Sequence, residues 1–285
     1  MLKVENSRFQ DTEFDYGGIL YRGRSVGSEE TCHQLPGFDL CFDIGGAPMS
    51  STPIVNVFIT HGHNDHIGGI IKHYLRRQSW GLDSANYYVP HYLYDHVLNY
   101  FAAQGALGYG AYNTPKDLKL FKVNLGDAIQ IGPRYVTPFK VFHRAPCYGY
   151  TVWSKKSKLK PEYLGLSEPE IRDLAKSGKK VSDVLEVPEA SFCGDTSIDI
   201  ITMPNSPVKK TRLLMLECSF IDDQVSIAES RGKGHIHLDE IKAAIDEGLF
   251  DENERVLLTH FSARYSVRQI GQAIRELPQK FIPLI

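Results

Sequence analysis

No stretch of this 285-residue chain approaches the roughly 20 consecutive apolar residues that a membrane-spanning helix requires, so a membrane-embedded protein is not expected. Residues Met1 to Arg8 lack the apolar core of a secretory signal, and Glu5 is unlike an organellar transit peptide, which together predict a cytoplasmic protein. Cysteine is scarce and odd in number: Cys32, Cys41, Cys147, Cys193 and Cys218, with no Cys-x-x-Cys pair. A disulfide-stapled scaffold is excluded, and a reducing compartment fits. Neither sign of charge is in excess, with 32 Lys and Arg against 34 Asp and Glu, a net charge of −2. Any contact with a polyanion must therefore come from a local face, to which bound divalent cations would add. No repeat, low-complexity tract or linker interrupts the chain, and one domain over residues 1–285 is expected.

What the chain does have is concentrated in Thr60-His61-Gly62-His63-Asn64-Asp65-His66-Ile67-Gly68-Gly69. Three imidazoles and a carboxylate within six positions suit zinc and neighbouring divalent metals, whereas core packing has no use for them. His61 and His63 alternate at strand spacing, so both leave one face of an extended segment. Asp65 and His66 follow the turn, where a helix could aim them at a second ion. The apolar run 53–59 before them reads as a buried strand, and 70–75 after them as a helix.

Three more candidates lie at the ends of apolar β-type runs, where loops gather functional side chains on a rigid sheet: His143, Asp195 in Cys193-Gly194-Asp195-Thr196, and His260. Cys147, Cys193 and Cys218 fall in or beside these segments, either as thiolate ligands or as small buried hydrophobes. Strands are expected at 37–44, 54–60, 86–90, 119–131, 135–143, 148–154, 190–194, 212–217 and 255–260. Helices are expected at 67–78, 91–103, 168–177, 238–248 and 266–277.

The His-x-His-x-Asp-His pattern resembles the signature of the metallo-β-lactamase superfamily, and the three later candidates stand in that superfamily's order. The resemblance implies an α/β fold, a four-layer αββα sandwich. The later motifs, His143 to Tyr150, Cys193 to Thr196, Leu216 to Phe220, Gly234-His235 and Leu258 to Tyr265, resemble ribonuclease Z, the endonuclease that trims the 3′ end of precursor tRNA. The likeness runs from about residue 16 to residue 277 and is nearest the short, plant-like form.

It implies two Zn²⁺ ions, with Mn²⁺ or Fe²⁺ as alternatives. His61, His63 and His143 would hold one; Asp65, His66 and His260 the other; Asp195 would bridge. Asp65 would also accept a proton from the attacking water. A proton donor for the leaving oxygen is implied at Gly234-His235-Ile236-His237, where His235 stands in the family register and His237 at a helix start. Glu217 either orients that imidazole or caps a loop. Arg264 suits a phosphate oxygen or a surface salt bridge, with Ser262 and Tyr265 nearby. Asp43 would hold a ligand histidine through its free nitrogen.

Ribonuclease Z usually carries a Gly-Pro-tipped arm between the lone His and the Gly-Asp motif. Only 51 residues separate His143 from Asp195, which predicts a shortened insertion at about 155–188. Its Lys155, Lys156 and Lys158 would contact phosphates or simply be solvated. Precursor tRNA is the implied substrate and a homodimer the implied assembly. The alternative is a hydrolase of the same fold acting on small phosphodiesters, cyclic-nucleotide-like, or on thioesters.

Overall fold

A computed structural model describes residues 6–285; part of the amino-terminal segment read above for a targeting signal lies outside them. Two seven-stranded sheets face each other. The first runs β1 (Thr12–Tyr16), β2 (Ile19–Val26), β3 (Glu30–Leu35), β4 (Leu40–Phe42), β5 (Asn56–Phe58), β6 (Asn86–Pro90) and β7 (Lys119–Val123) in spatial order. It is antiparallel up to β4 and parallel beyond. The second contains β8 (Ile129–Ile131), β9 (Arg134–Lys140), β10 (Tyr148–Leu159), β11 (Ser182–Phe192), β12 (Leu213–Glu217), β13 (Arg255–Thr259) and β14 (Phe281–Pro283). There β8 to β11 are antiparallel and β11 to β14 parallel.

In chain order the α-helices are α1 (Asn64–Ile67), α2 (Ile70–Ser79), α3 (Tyr94–Tyr109), α4 (Glu168–Lys176), α5 (Asp199–Thr202), α6 (Ile227–Lys233), α7 (Leu238–Asp246) and α8 (Val267–Ala273). Side-chain alternation along each strand builds the layers. On β12, Leu213 and Met215 join Phe42, Phe58, Tyr150 and Phe192 between the sheets. Leu214 and Leu216 point the other way, onto α7 and α8 through Ile241, Ala244 and Ile270. On the opposite flank Val57, Ile59 and Tyr87 meet α2 (Ile70–Ser79) and α3 (Tyr94–Tyr109) through Ile70, Tyr74, Val97 and Phe101. The result is a helix–sheet–sheet–helix sandwich, as the sequence predicts.

The expected strand 119–131 is two strands in two sheets. Asn124 and Asp127 close a turn between them, with Asn124 N donating to Asp127 Oδ2 at 2.7 Å and Gly126 at φ +96°. The chain thereby leaves one sheet edge for the other. Expectation also missed β1, β2, β3 and β14, and the helix Ile227–Lys233, which a Ser226–Glu229 capping box starts. The insertion expected at 155–188 is an extension of β10 and β11, which beyond Ser154 pair only with each other. It carries a short helix, Glu168–Lys176, that starts at a Ser167–Glu170 capping box and has no buried residue.

Candidate metal centre

Every expected ligand lies just past the C-terminal end of a strand. Asp43 follows β4, and His61, His63, Asp65 and His66 follow β5; His143 follows β9, Asp195 follows β11 and His260 follows β13. The loops after β4 and β5 pack so closely that a Cβ at Gly45 would overlap the Asp65 carbonyl. Potential ligand atoms of His61, His63, His143 and Asp195 lie within 4.8 Å of one another, and so do those of Asp65, His66 and His260. Asp195 stands between the groups: Oδ2 is 3.7 Å from His61 Nε2, and Oδ1 is 3.2 Å from His66 Nε2 and 3.3 Å from His260 Nε2.

Hydrogen bonds behind the imidazoles fix which nitrogen faces inward. Nδ1 of His66 donates to Asp43 Oδ2 at 2.6 Å, and Nδ1 of His143 to the Gly234 carbonyl at 2.9 Å. Thr60 Oγ1 donates to Asp43 Oδ2 and so accepts from His61 Nδ1 at 3.0 Å. Ser219 Oγ donates to Glu217 Oε2 and accepts from His260 Nδ1, again at 3.0 Å. Four rings thus spend their Nδ1 protons outward and turn Nε2 lone pairs toward two carboxylates. His66 Nε2, His143 Nε2 and Asp195 Oδ1 are buried with no hydrogen-bond partner, although His66 and Asp195 approach to 3.2 Å. Lone pairs facing lone pairs in a buried site are costly unless a positive charge lies between them, either a metal ion or a ring proton, which on His66 burial opposes but Asp195 and Asp43 favour more strongly. The residues present therefore fit divalent ions. Burial works against the Asp65 carboxylate, but His260 and His66 outweigh it and hold the group well below its ordinary range.

A cavity of about 650 Å³ opens over this cluster, lined by His63, Asp65, His143, Asp195, His235, His260, Ser262 and Arg264 among others. His235 donates through Nδ1 to Glu217 Oε1 at 2.8 Å. Burial disfavours its charged form, but Glu217 outweighs that and raises the imidazole to about 9, so it stands ready as an acid. Glu217 itself is 1% exposed, and its remaining contacts are the Thr196 and Ile236 amides and Ser219. It orients His235 and does not meet the cavity.

Several expected residues fall elsewhere. His237 is not in the cavity: its Nδ1 accepts from the Asp239 amide as the N-cap of α7, and its Nε2 meets the Asp222 carbonyl. Tyr265 is 2% exposed and donates to Asp222 Oδ1, so it braces the loop and is not open to substrate. Lys155, Lys156 and Lys158 lie on the outer part of β10, away from the cavity lining. Lys155 pairs with Glu186 and Lys156 with Glu189, which leaves Lys158 with no ion pair among the described residues. Cys147 Sγ lies 3.6 Å from His61 Nδ1, behind the ring, and burial pushes the thiols of Cys147, Cys193 and Cys218 up. They pack as neutral side chains.

Sequence reasoning missed Thr60 and Ser219, whose hydroxyls set two tautomers. It also missed Arg8, whose guanidinium donates to the carbonyls of Phe261, Ser262 and Tyr265 and so holds the loop after His260. A hydroxyl beside a motif histidine is a usable signal; an arginine some 250 positions away leaves none. A second cavity, between α2 and α3, is lined by Ile71, Tyr74, Leu75 and Phe101 and contains no His, Cys, Asp or Glu.

The model of the β-lactamase superfamily domain matches residues 38–261. A likeness in fold alone extends to a metallo-β-lactamase-fold protein, YhfI of Bacillus subtilis, at 17% identity and TM-score 0.58 over 91% of this chain and 92% of that one. The short form of human tRNase Z matches at 17% identity and TM-score 0.51, covering 93% and 89% of the two chains. In sequence, tRNase Z TRZ1 of Arabidopsis thaliana is 36% identical over 265 residues, 92% of this chain and 91% of that protein. The chloroplastic tRNase Z TRZ2 of the same plant is 31% identical, covering 90% and 72%. The fold and the match together define a β-lactamase-superfamily hydrolase, and within that superfamily the chain belongs to the tRNase Z, or ribonuclease Z, family.

Proposed function

We propose that this protein is a zinc-dependent endoribonuclease that removes the 3′ trailer from precursor tRNA. The observation that carries the reading is the inward-facing set of unpartnered ligand atoms beneath an open cavity that also presents a charged imidazole. His61, His63 and His143 would hold one ion and Asp65, His66 and His260 the other, with Asp195 shared. When bound, such a pair supplies Lewis acidity to a water nucleophile and to the phosphoryl oxygens. Asp65 accepts the proton that the water loses. Arg264 and Ser262, both at the cavity wall, hold phosphate oxygens through N–H and O–H donors. His235, kept protonated by Glu217, gives its proton to the departing 3′ oxygen. The P–O3′ bond breaks, which leaves a 3′-hydroxyl on the tRNA and a 5′-phosphate on the trailer.

The β10–β11 extension, shorter than the arm usual in ribonuclease Z, would take that arm's part, and its exposed Lys158, Lys176 and Lys179 suit phosphates rather than bases. A cytoplasmic location accords with five free, buried cysteines. A homodimer belongs to the same reading, and light scattering on the purified protein checks it. Among the described residues no helix is long and apolar enough to cross a membrane.

The deciding experiment gives metal-loaded protein a precursor tRNA with a 3′ trailer and, separately, bis(p-nitrophenyl) phosphate, each with and without chelator. Chelator-sensitive cleavage beside the discriminator base is expected. Hydrolysis of the small phosphodiester alone would replace the tRNA reading with that of a small-molecule phosphodiesterase.

A further inference from the structure

Three cations at the rim of the cavity form no salt bridge, although Lys233 feels the charge of Glu229 from one helical turn away. Arg144, Lys233 and Arg264 all line it, and none has a carboxylate within 4 Å among the described residues. A nearby cation is treated differently: Arg231, two positions before Lys233, is paired with Glu240. The fold pairs Arg231 and leaves the three rim side chains without a salt bridge.

Their placement is built. Phe220, 6% exposed, lies beneath two of them, with Lys233 Nζ 5.1 Å and Arg264 Cζ 5.5 Å from its ring centroid. A ring face holds a cation without satisfying its hydrogen bonds; Arg264 Nε donates to Ser262 Oγ at 3.3 Å, and the remaining donors of both side chains stay available to an incoming oxygen. Arg144 reaches the same corner because Gly234 lets it in: a Cβ there would meet Arg144 N and His143 Nδ1 at 2.9 Å each, and the residue sits at φ +79°. Arg144 and Lys233 thus flank one glycine, beside His143 on one side and His235 on the other. A single phosphodiester at the metal cluster needs at most one of the three cations. The others are exposed on the same cavity wall, where a polynucleotide brings further phosphates and a small substrate does not.

We propose that Arg144 and Lys233, together with Arg264, form a track that binds the phosphates adjoining the scissile linkage of an RNA strand. The proposal rests on the endonuclease reading above and adds two residues to which that reading gives no role. Contacts of this kind set register and affinity without reading sequence, and each one releases counterion when it forms.

The test is fluorescence anisotropy of metal-loaded, full-length protein with a labelled single-stranded oligoribonucleotide carrying one uncharged methylphosphonate at the junction, which binds without being cut. Affinity is measured across a series of salt concentrations for wild type, K233Q, R144Q, the double variant and K233R. The slope of log affinity against log salt should flatten by about 0.7 for each neutralised contact on a single strand, and by about twice that in the double variant. K233R should restore the wild-type slope, and the losses should be the same for different base sequences. Unchanged slopes in K233Q and R144Q would overturn the proposal, as would a weakening that varied with sequence. If the slopes flatten while precursor tRNA is not cut, the track stands and the tRNA reading falls.

Discussion

Replacing Asp43 by Asn should loosen metal binding although Asp43 touches no metal. Its carboxylate is fully buried; Oδ1 accepts from the Thr60 amide at 2.8 Å, and Oδ2 accepts from Thr60 Oγ1 at 2.8 Å and His66 Nδ1 at 2.6 Å. Asn is nearly isosteric and tolerates the left-handed backbone at this position, φ +58°, so the loop should persist. With the Asn oxygen kept on the Thr60 amide, the Asn NH₂ faces His66 Nδ1, and two donors cannot meet. His66 must take the other tautomer, with its proton on Nε2, 3.2 Å from Asp195 Oδ1, where the ion needs a lone pair. Losing a partner behind a ligand typically weakens metal affinity 10- to 100-fold, about 1.4 to 2.7 kcal/mol. Competition for zinc against a chromophoric chelator reads this directly, and the gap in thermal midpoint between loaded and metal-free protein should shrink. If D43N holds zinc as tightly as wild type, the argument from tautomers is wrong.

Four other variants have expected outcomes, three at or beside the site and one outside it. H235N should lower kcat by about 10²- to 10⁴-fold with metal content intact, whereas H237N, which keeps an N-cap side chain on α7, should leave kcat unchanged and alter stability by about 1 kcal/mol at most; steady-state kinetics with elemental analysis checks both. E217Q removes the charge that raises His235, so the basic limb of the rate profile, where activity falls as the donor loses its proton, should move to lower pH. Away from the site, burial first and then Arg77 and Arg76 lower His73 to about 4, from an ordinary 6.5, between the Tyr87 hydroxyl and the Ser51 carbonyl. The unfolded chain then takes up the proton first, so this contribution to stability is complete above about pH 6.5 and is lost as pH falls toward 4, about 2 kcal/mol by pH 5. In H73Q the loss on acidification from pH 7 to pH 5 should be smaller by about that amount in urea melts.

The centre was legible because its chemistry is written in short, dense segments. Side chains that offer metal-binding atoms at short spacings, such as His61, His63, Asp65 and His66, leave a pattern that no packing constraint imitates. Strand periodicity likewise marked β12 and β13, whose alternate residues serve two different layers. The second ring of contacts left less trace. Thr60 and Ser219 act through one hydroxyl each, and nothing in the sequence says which proton a hydroxyl will orient. His237 looked like a proton donor because it sits two residues from His235, yet the intervening chain turns it into the cap of α7. Lys233 was invisible for a different reason: its significance lies in Phe220 beneath it and in its place on the cavity wall, and both are properties of the folded surface. The turn at 124–127 misled because apolar alternation continues on both sides while the chain changes sheets.

An anomalous-difference map collected on either side of the zinc absorption edge, from crystals of zinc-loaded protein, tests the central claim most directly. Two peaks are predicted, one enclosed by His61, His63 and His143 and the other by Asp65, His66 and His260, with the Asp195 carboxylate between them. A single peak, or none among these seven side chains, would contradict the account.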